Sequence, residues 1–318
     1  MSLIGKLKKN KNVQLLYFTL KKLGITVFGE ERLIRIKFKD RNGYIPDLNN
    51  PKTYNEKIEW LKLNYWQPFY TQCCDKYLNR EYIKKKLGKD YAVPCLFACQ
   101  NVEDFHIKSI KSFPCIIKIS NATAENIILH SRDEMSESDI KKKLKKMMKI
   151  GELQAQVLSE PQYLKKGEYI LVEKLIEDPI NGIPNDYKFL YINGKLEFIY
   201  CSVERLKRNY RQIYSPTWDK LPFIWVPNAN KELFDKFYNL PDVERPPHFD
   251  EMKALADIIA QDFPTVRVDF YDTKDEFYIG EITLYHGSGY DAFYPSEYDK
   301  IYGEKLILPQ KNNLRSIK

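Results

Sequence analysis

Apolar residues recur at helical spacing in the first third of the chain. NPKTYNEKIEWLKLNYW has a threonine followed three residues later by a glutamate, a capping box, and Ile58, Leu61 and Tyr65 then repeat with a helical period. YTQCCDKYLNREYIKKKLG predicts a second helix that ends at Gly88, because glycine adopts the left-handed conformation of a helix C-cap without steric cost. The N-terminal part of the chain is therefore predicted to be mainly helical.

Short apolar runs replace this pattern after residue 92. AVPCLFACQ, FPCIIKIS, NIILH and YILVEKLI are typical of strands, and SESDIKKKLKKMMKIG predicts a helix from a cap at Ser136 to a stop at Gly151. YKFLYINGKLEFIYCSV predicts a hairpin that turns at Asn193 and Gly194, whereas the stretch 205–250 contains several prolines and predicts no regular element. EMKALADIIAQDF predicts a helix and VRVDFYDTKDEFYIGEIT a last hairpin. The fold class predicted is α+β, with a helical N-terminal region followed by sheets covered by helices.

Composition narrows the class of protein. With 318 residues, 43% of them hydrophobic, the chain is long enough for two or three domains and a sizeable core. No apolar run approaches the ~20 residues that span a bilayer, and the N-terminus lacks the apolar core and cleavage site of a signal peptide, so we expect a cytosolic protein. The six cysteines form no Cys-x-x-Cys pair and the four histidines no His-Glu-x-x-His pattern, which argues against a zinc site.

The chain carries an excess of positive charge. Its formal net charge is +8, and residues 1–29 hold six lysines and no acidic residue. A positive field attracts nucleotides, acidic sugars, anionic membranes and nucleic acids alike, so charge alone does not choose among them. For residues 1–29 the pattern favours a packed helix with a lysine face in solvent, with peripheral contact to an anionic membrane as the alternative. No stacking-aromatic motif or recognition-helix pattern indicates nucleic acid as a partner.

The last hairpin carries charged residues where a sheet favours apolar ones. Residues two apart share a face of a strand, so Arg267 and Asp269 point one way, as do Glu281 and Thr283 on the partner strand. The two pairs share one face only if the connecting loop has an odd number of residues or a strand contains a bulge. Two carboxylates suit Mg²⁺, which takes its other ligands from phosphates and water, and an arginine stabilises phosphate charge. The alternative is an exposed hairpin face with ordinary charges.

Further cations lie on predicted strands. Lys118 interrupts the apolar run FPCIIKIS, where a lysine is costly unless it has a partner. Lys188 follows Asp186 by two residues in NDYKFLYING, and Arg205 follows the same hairpin. These three cations would line a phosphate-binding cleft, or they are solvent-facing residues of a lysine-rich chain.

The order of these residues resembles that of the ATP-grasp superfamily. A strand lysine comes first, then a strand ending in EKL, then DxK with an NG turn, an arginine, RxD and finally GExT. More narrowly, NPKTYNEKIEWLKL, CDKYLNREYIKKKLG, NDYKFLYINGK, FPTVRVDFY and GEITLYHGSG are similar to the TupA-like ATP-grasp family, which is named for teichuronopeptide biosynthesis and associated with bacterial surface polysaccharides. The resemblance covers roughly residues 48–308.

The resemblance implies an ATP-grasp fold, in which two α+β subdomains hold ATP between them. It implies a mainly helical N-terminal region (1–92), a lid subdomain (93–172), a C-terminal catalytic subdomain (173–308) and a tail (309–318). One departure is SNATAEN, residues 120–126, where relatives carry a loop with glycine and histidine. Because glycine permits close backbone approach, its loss implies a different lid conformation, weaker nucleotide binding or a changed substrate.

The resemblance also implies residue roles and two cofactors, ATP and Mg²⁺. ATP would be bound by Lys118 at the α- and β-phosphates and by Glu173, Lys174 and Leu175 at adenine, largely through backbone groups. Glu177 or Asp178 would reach the ribose, and Asp186 and Lys188 would complete the ATP site. Mg²⁺ would be bound by Asp269 and Glu281, with Thr283 where the superfamily often has an asparagine ligand. The catalytic residues would be Arg267, Lys188 and Arg205, and backbone N–H groups of His286, Gly287, Ser288 and Gly289 would meet an anionic substrate.

The function implied is that of an ATP- and Mg²⁺-dependent carboxylate–amine ligase. ATP would phosphorylate a carboxylate, and an amine would attack the resulting acyl phosphate to form an amide, on a bacterial surface polysaccharide or its precursor. Such chemistry needs positioning and charge neutralisation more than a protein nucleophile. The alternatives on the same fold are an ATP-dependent kinase or another glycan-modifying transferase, and a catalytically impaired nucleotide-binding protein.

Overall fold

The computed structural model of the chain describes residues 11–122, 126–164, 168–178, 182–203, 210–273, 275–312 and 314. Its helices are α1 (Lys11–Phe28), α2 (Glu30–Asn42), α3 (Tyr54–Asn64), α4 (Tyr70–Cys74), α5 (Asn79–Leu87), α6 (Glu137–Val157), α7 (Lys231–Tyr238), α8 (Phe249–Ala260) and α9 (Glu297–Lys305). Its strands are β1 (Cys95–Cys99), β2 (Cys115–Ile119), β3 (Ile127–Leu129), β4 (Ile170–Lys174), β5 (Asp186–Ile192), β6 (Lys195–Val203), β7 (Tyr210–Tyr214), β8 (Ile224–Val226), β9 (Thr265–Asp272), β10 (Phe277–Thr283) and β11 (Ala292–Tyr294). The predicted α+β class is confirmed.

Local signals set the helix ends of the N-terminal region. The capping box is confirmed: the Glu56 N–H donates to Thr53 Oγ1 at 3.2 Å and the Thr53 N–H donates back to Glu56 Oε2 at 3.1 Å. Gly88 ends α5 in the left-handed conformation, as predicted. The single helix predicted before it is wrong, because the chain breaks at Asp75, whose Oδ1 accepts the N–H groups of Tyr77 and Leu78 and so begins α5 anew.

Helix α1 packs along α6 and α2 but buries no residue completely. Its lysines are exposed as predicted, yet the prediction of a lysine face is incomplete, because the outer side is largely apolar. The exposed fractions are 60% for Leu16, 58% for Leu20, 57% for Leu23 and 71% for Val27. Within the described residues, no helix is both long and apolar enough to cross a membrane.

A four-stranded antiparallel sheet follows, in the order β1-β4-β2-β3. Helix α6 covers it and begins at the predicted cap, where Ser136 Oγ accepts the Asp139 N–H at 3.1 Å. The predicted stop at Gly151 is wrong, since α6 continues to Val157. A Cβ on Gly151 would lie 2.8 Å from Ala122 Cβ, so the glycine allows close approach of the chain rather than an end of the helix.

A second antiparallel sheet has the order β10-β9-β5-β6-β7. The β5–β6 hairpin turns at Asn193 and Gly194, with φ of 48° and 74°, which confirms the predicted turn. Helix α8 covers one face, where the Phe189 ring lies 5.3 Å from Phe249 and 5.2 Å from Phe270, centroid to centroid. The opposite face is thereby left for charged residues.

The prediction of no regular element in 205–250 is wrong, although 204–209 lie outside the described residues. Strand β7 pairs with β6, and β8 pairs with β11, about 70 residues further along the chain. Helix α7 begins at Asn230, whose Oδ1 accepts the Leu233 N–H at 2.9 Å. These elements depend on long-range partners, which the sequence pattern does not reveal.

Candidate functional site

A bulge aligns the two acidic residues of the last hairpin. Between the bulge and the four-residue connection of the hairpin, Phe277 pairs with Asp272 and Ile279 pairs with Phe270. The register then shifts at Gly280, so that Glu281 pairs with Asp269. A Cβ on Gly280 would lie 2.7 Å from the Tyr271 ring, which shows how closely the bulge packs. The sequence predicts a shared face if the connecting loop has an odd number of residues or if a strand contains a bulge. The bulge is present, so the two carboxylates share a face.

Asp269 lies at the centre of a buried charge cluster on that face. Arg267 donates to it twice, from Nε to Oδ1 at 2.6 Å and from Nη2 to Oδ2 at 2.7 Å. Lys188 Nζ on the neighbouring strand donates to Oδ2 at 2.8 Å and also contacts Asp186. Burial alone would raise the pKa of Asp269, but the charges of Arg267 and Lys188 outweigh it and lower that pKa. Asp269 therefore remains ionised in a buried position.

The two hairpin partners beside Asp269 differ in environment. Glu281 is the more open carboxylate, with 22% of its side chain exposed, and Lys76 Nζ lies 3.7 Å from its Oε1. Thr283 is buried, and its Oγ1 accepts a hydrogen bond from Arg267 Nη2 at 3.2 Å. The structure thus brings all of the predicted hairpin residues together.

The two carboxylates suit a metal ion that is bound together with phosphates. In the described part of the chain, no group of three or more His, Cys, Asp or Glu side chains is placed to hold a metal ion. Mg²⁺ needs only one or two carboxylates when phosphates and water fill its remaining positions. Asp269 and Glu281, paired across two strands, meet that requirement.

Lys118 lies beside a small cavity between the two sheets. The cavity has a volume of about 120 Å³ and is lined by Val93, Ile116, Lys118, Asn126, Ile128, Lys174, Leu175, Ile176, Ile183, Pro184 and Tyr271. Lys118 Nζ donates to Glu173 Oε2 at 2.7 Å, and both side chains are almost fully buried. Burial would lower the pKa of Lys118, but the Glu173 carboxylate outweighs it and raises the pKa. Mostly apolar walls with two lysines, Lys118 and Lys174, are suited to a flat aromatic ring with an anionic extension.

The strand end predicted to meet adenine lies at this cavity. Lys174 and Leu175 line it, but their N–H groups donate to Pro94 O at 3.0 Å and Pro114 O at 3.2 Å. Glu173 faces Lys118 instead. Just beyond, Glu177 is exposed, and Asp178 is half-buried and paired with Gly182 through both backbone groups. Arg205 lies outside the described residues.

The predicted substrate loop is a tight turn with positive φ at Gly287, Ser288 and Gly289. The Ser288 N–H donates to Tyr285 O at 3.0 Å, and its Oγ accepts from Lys62, so this residue is engaged within the protein. His286 stacks on Trp225 at 3.8 Å between centroids. Arg267 Nη1 can only donate, so His286 Nδ1 accepts, and the ring hydrogen lies on Nε2, 3.2 Å from Asp291. Burial, aided by Arg267, lowers the pKa of His286 to about 4.

A larger cavity of about 350 Å³ lies between this turn, the hairpin and the N-terminal helices. It is lined by Lys37, Arg41, Gln154, Leu158, Glu160, Tyr163, Pro227, Arg267, Glu281, Thr283, Tyr285, Gly287, Ser288, Tyr290 and Asp291. We call it the side cavity. It brings the predicted Gly287 and Ser288 to the same space as Arg267 and Glu281, so an acceptor bound there would lie next to the charge cluster.

The start of the glycine-free loop is fixed by the N-terminal helices. Ser120 O accepts the Lys76 N–H at 3.0 Å, and Ser120 Oγ donates to Asp75 Oδ2 at 2.5 Å. Lys76 Nζ donates to Ala122 O at 3.1 Å. Residues 123–125 lie outside the described residues.

Several residues at these cavities were not singled out from the sequence. Lys76 reaches Glu281 from the break between α4 and α5, and Arg211 lies 5.4 Å from the Tyr200 ring on the charged face of the sheet. Lys37 and Arg41 come from a helix far from the hairpin in sequence. Each looks like an ordinary surface charge in the sequence, and only the folded chain brings it to the site.

The chain is similar to one protein family in sequence and, more distantly, to several solved structures. A sequence profile described as TupA-like ATPgrasp matches residues 56–307. No curated protein matches the chain. Among solved structures, D-alanine–D-alanine ligase from Bacillus anthracis complexed with ATP is 13% identical with a TM-score of 0.38, over 67% of this chain and 54% of that chain. ATP-grasp ligase PsnB complexed with a precursor variant, Mg and ADP is 11% identical with a TM-score of 0.36, over 68% and 52%. D-alanine–D-alanine ligase from Helicobacter pylori is 15% identical with a TM-score of 0.38, over 80% and 69%.

Proposed function

The chain belongs to the TupA-like ATP-grasp family, and from this we propose that it is an ATP- and Mg²⁺-dependent carboxylate–amine ligase. The observation that carries the proposal is the alignment of Asp269 with Glu281 across β9 and β10, with Arg267 and Lys188 on the same face. Two carboxylates and two cations around one point are what a magnesium–polyphosphate requires.

The small cavity would take the nucleotide base, and Lys118 would contact the α- and β-phosphates. Lys174 and Leu175 line this cavity and would contact adenine, while Glu173 would orient Lys118. Glu177 or Asp178 would approach the ribose. Magnesium, held by Asp269 and Glu281 with Thr283 beside them, would neutralise phosphate charge. Asp186 acts on the ATP phosphates by fixing Lys188.

The reaction would have two steps. An oxygen of the substrate carboxylate attacks the γ-phosphorus of ATP, and ADP leaves. The amine nitrogen then attacks the acyl carbon, inorganic phosphate leaves, and the nitrogen loses a proton to give the amide. Arg267, Lys188 and Arg205 would donate hydrogen bonds to oxygens on which negative charge develops. His286, neutral because burial lowers its pKa to about 4, fixes the Arg267 guanidinium by accepting from Nη1.

The acceptor would be a bacterial surface polysaccharide, such as a capsule, an O-antigen or a teichuronopeptide-like polymer, or its precursor. The support is the family's name, which is an argument by association. The side cavity, with Gly287 and Ser288 on its wall and His286 and Gly289 beside them in the same turn, would hold the glycan-linked carboxylate. We assign residues 1–92 to a helical region, 93–172 to a lid, 173–308 to the catalytic subdomain and 309–318 to a tail, noting that the boundary at 172/173 falls within β4.

The test is turnover with a defined pair of substrates. Purified protein, Mg²⁺ and ATP are incubated with uronic-acid oligosaccharides and amino acids, and ADP, inorganic phosphate and the amide are measured by coupled assay and mass spectrometry. Equal amounts of all three support the ligase. A phosphorylated glycan without inorganic phosphate would instead identify a kinase. Tight Mg–ATP binding without turnover of any acceptor would favour an impaired binding protein, as the glycine-free loop suggests.

We propose a cytoplasmic location with peripheral contact to the inner face of an anionic membrane, and the exposed face of α1 supports the membrane contact. Leu16, Leu20, Leu23 and Val27 form one exposed apolar stripe, and residues 1–29 carry six lysines with no acid. Anionic lipid matches this combination of apolar and positive surface.

Vesicles of phosphatidylglycerol should co-sediment the wild type, and those of phosphatidylcholine should not. A Leu20→Glu/Leu23→Glu variant should stay in solution, with Thr19→Glu as control. Concentration-dependent dimerisation lost in the same variant would indicate a second copy as the occupant instead.

A further inference from the structure

We propose that the side cavity binds a carboxylate substrate that carries a second anionic group, and that Lys37 and Arg41 hold that second group. The inference rests on the proposed ligase function, which assigns the reacting carboxylate to the part of the cavity beside Arg267 and Glu281. It adds the chemical class of the acceptor and two residues of the N-terminal helices to the site.

The side cavity has two walls of different origin. The hairpin and the turn after it supply Arg267, Glu281 and Thr283 on one side, and helix α2 supplies Lys37 and Arg41 on the other. Its volume of about 350 Å³ is at the lower end of small-molecule pockets. A ligand the size of one sugar ring would therefore reach both walls at once.

Lys37 and Arg41 lie one helical turn apart and present their charges on the same face of α2. Arg41 donates to Asn228 Oδ1 from Nη1 at 2.9 Å, which leaves other guanidinium N–H groups for a ligand. Lys37 Nζ lies 4.0 Å from the centroid of the Tyr290 ring. The planar guanidinium of Arg41 and the ammonium group of Lys37, side by side, are suited to bind a carboxylate or a phosphate.

Lys37 lacks the close carboxylate partner that other buried cations have. Lys62 nearby donates to Glu59 at 2.8 Å, and Lys188 contacts two carboxylates, but no ion pair within 4.0 Å joins Lys37 to any described carboxylate. Burial, and then the charge of Lys62, lower the pKa of Lys37 to about 8. A partly desolvated amine without an acidic partner is a costly arrangement, which an anionic ligand would relieve.

Glu160 is one of three acidic residues on the wall of the side cavity, together with Glu281 and Asp291. Burial raises its pKa to about 7, so near neutral pH a large fraction of it is protonated. Its charge near neutral pH is therefore partial and only partly offsets those of Lys37 and Arg41. Asp291, also at the cavity, is directed to His286.

The experiment uses two probes that differ by one anionic group. Glucuronate carries one carboxylate, and glucuronate 1-phosphate adds a phosphate at C1, across the ring oxygen from the carbon that carries the carboxylate. Titration calorimetry on the full chain, without nucleotide, should give at least about tenfold tighter binding of the 1-phosphate. Lys37→Gln and Arg41→Gln should each remove most of this preference. Lys37→Arg should keep it, and so should Lys39→Gln, which alters an exposed lysine on the same helix.

The outcomes separate this inference from the proposed ligase. If the wild type shows no preference for the 1-phosphate, or if Lys37→Gln keeps it, the inference is overturned whether or not the protein turns over ATP. If amide formation is never detected but the preference depends on Lys37 and Arg41, the ligase proposal fails and the anion site stands. Thermal unfolding of every variant confirms that binding losses occur in folded protein.

Discussion

Asp269 and Glu281 lie directly opposite each other on β9 and β10 because one extra residue, Gly280, is inserted below them. Without that bulge, the pairing of Asp272 with Phe277 would continue and Glu281 would point to the helix-covered face. The position of one glycine therefore decides whether the two carboxylates can act on the same cation.

Gly280→Ala should weaken nucleotide binding and lower stability. The added methyl group would lie 2.7 Å from the Tyr271 ring, so the ring must shift, and Tyr271 lines the small cavity. We expect a loss of about 1–3 kcal/mol in the free energy of unfolding, as for other overpacked sites. Calorimetry with Mg–ATP and urea unfolding measure the two effects. Gly24→Ala is the control, because its Cβ would find ordinary contact at 3.4 Å from Leu33. A variant indistinguishable from wild type in both measurements contradicts the expectation.

Lys118→Met should lose ATP affinity by about tenfold or more, because a charge-assisted contact to the phosphates disappears. It also leaves Glu173 buried without its partner, which costs about 3–5 kcal/mol of stability. The double variant Lys118→Met/Glu173→Gln separates the effects, since it removes the uncompensated carboxylate. We expect near-normal unfolding with ATP affinity still reduced, measured by calorimetry. Recovery of affinity in the double variant would mean that Lys118 has only a structural role.

Asp269→Asn should abolish most ADP formation, by about a hundredfold or more, because charge neutralisation is the largest contribution of such a site. Arg267 and Lys188 would keep their positions but lose their shared carboxylate, so stability should also fall. Asp235→Asn is the matched control: its pair with Lys231 spans 2.6 Å but is exposed, and such pairs contribute little. Full activity in Asp269→Asn would remove this residue from the proposed mechanism.

The contribution of Asp299 to stability should fall as the pH rises from about 4 to about 7. Burial raises the pKa of this carboxyl to about 7, whereas in the unfolded chain it titrates near 4. Between these values the unfolded state releases a proton that the folded state keeps, so unfolding becomes easier, and the effect is complete above about pH 7. Glu160, whose pKa burial also raises to about 7, contributes in the same direction.

Asp299→Asn isolates this contribution. The amide oxygen can still accept the Asn55 N–H, which lies 2.9 Å from Asp299 Oδ1. Relative to wild type, the variant should gain about 1 kcal/mol or more in urea unfolding between pH 4.5 and pH 8. An equal difference between variant and wild type at both pH values would show that Asp299 ionises normally in the folded chain.

Local signals in the sequence predicted much of the fold, because their partners are close along the chain. The Thr53–Glu56 box, the left-handed Gly88 and the Asn193–Gly194 turn each need only a few residues. Gly151 shows the limit of such signals: a glycine that indicates a stop can also serve close packing, here against Ala122.

The grouping of the four hairpin residues was predictable only in part. Two-residue periodicity places Arg267 with Asp269 and Glu281 with Thr283, but whether the two pairs share a face depends on the bulge beside Tyr271. Lys37 and Arg41 had no local signal at all. They reach the side cavity because α2 lies next to the turn after β10, a relationship set by tertiary packing.

The attachment of Ser120 to Asp75 and Lys76 has a consequence for engineering this protein. A fragment cut to begin at β1 would lose the hydrogen bonds from Asp75 and Lys76 that hold Ser120 and Ala122 at the end of β2. A chimera that transplants only the two sheets would lose them as well. The segment before β1 therefore belongs to the same structural unit as β2, and we expect its truncation or exchange to disturb the backbone next to Lys118.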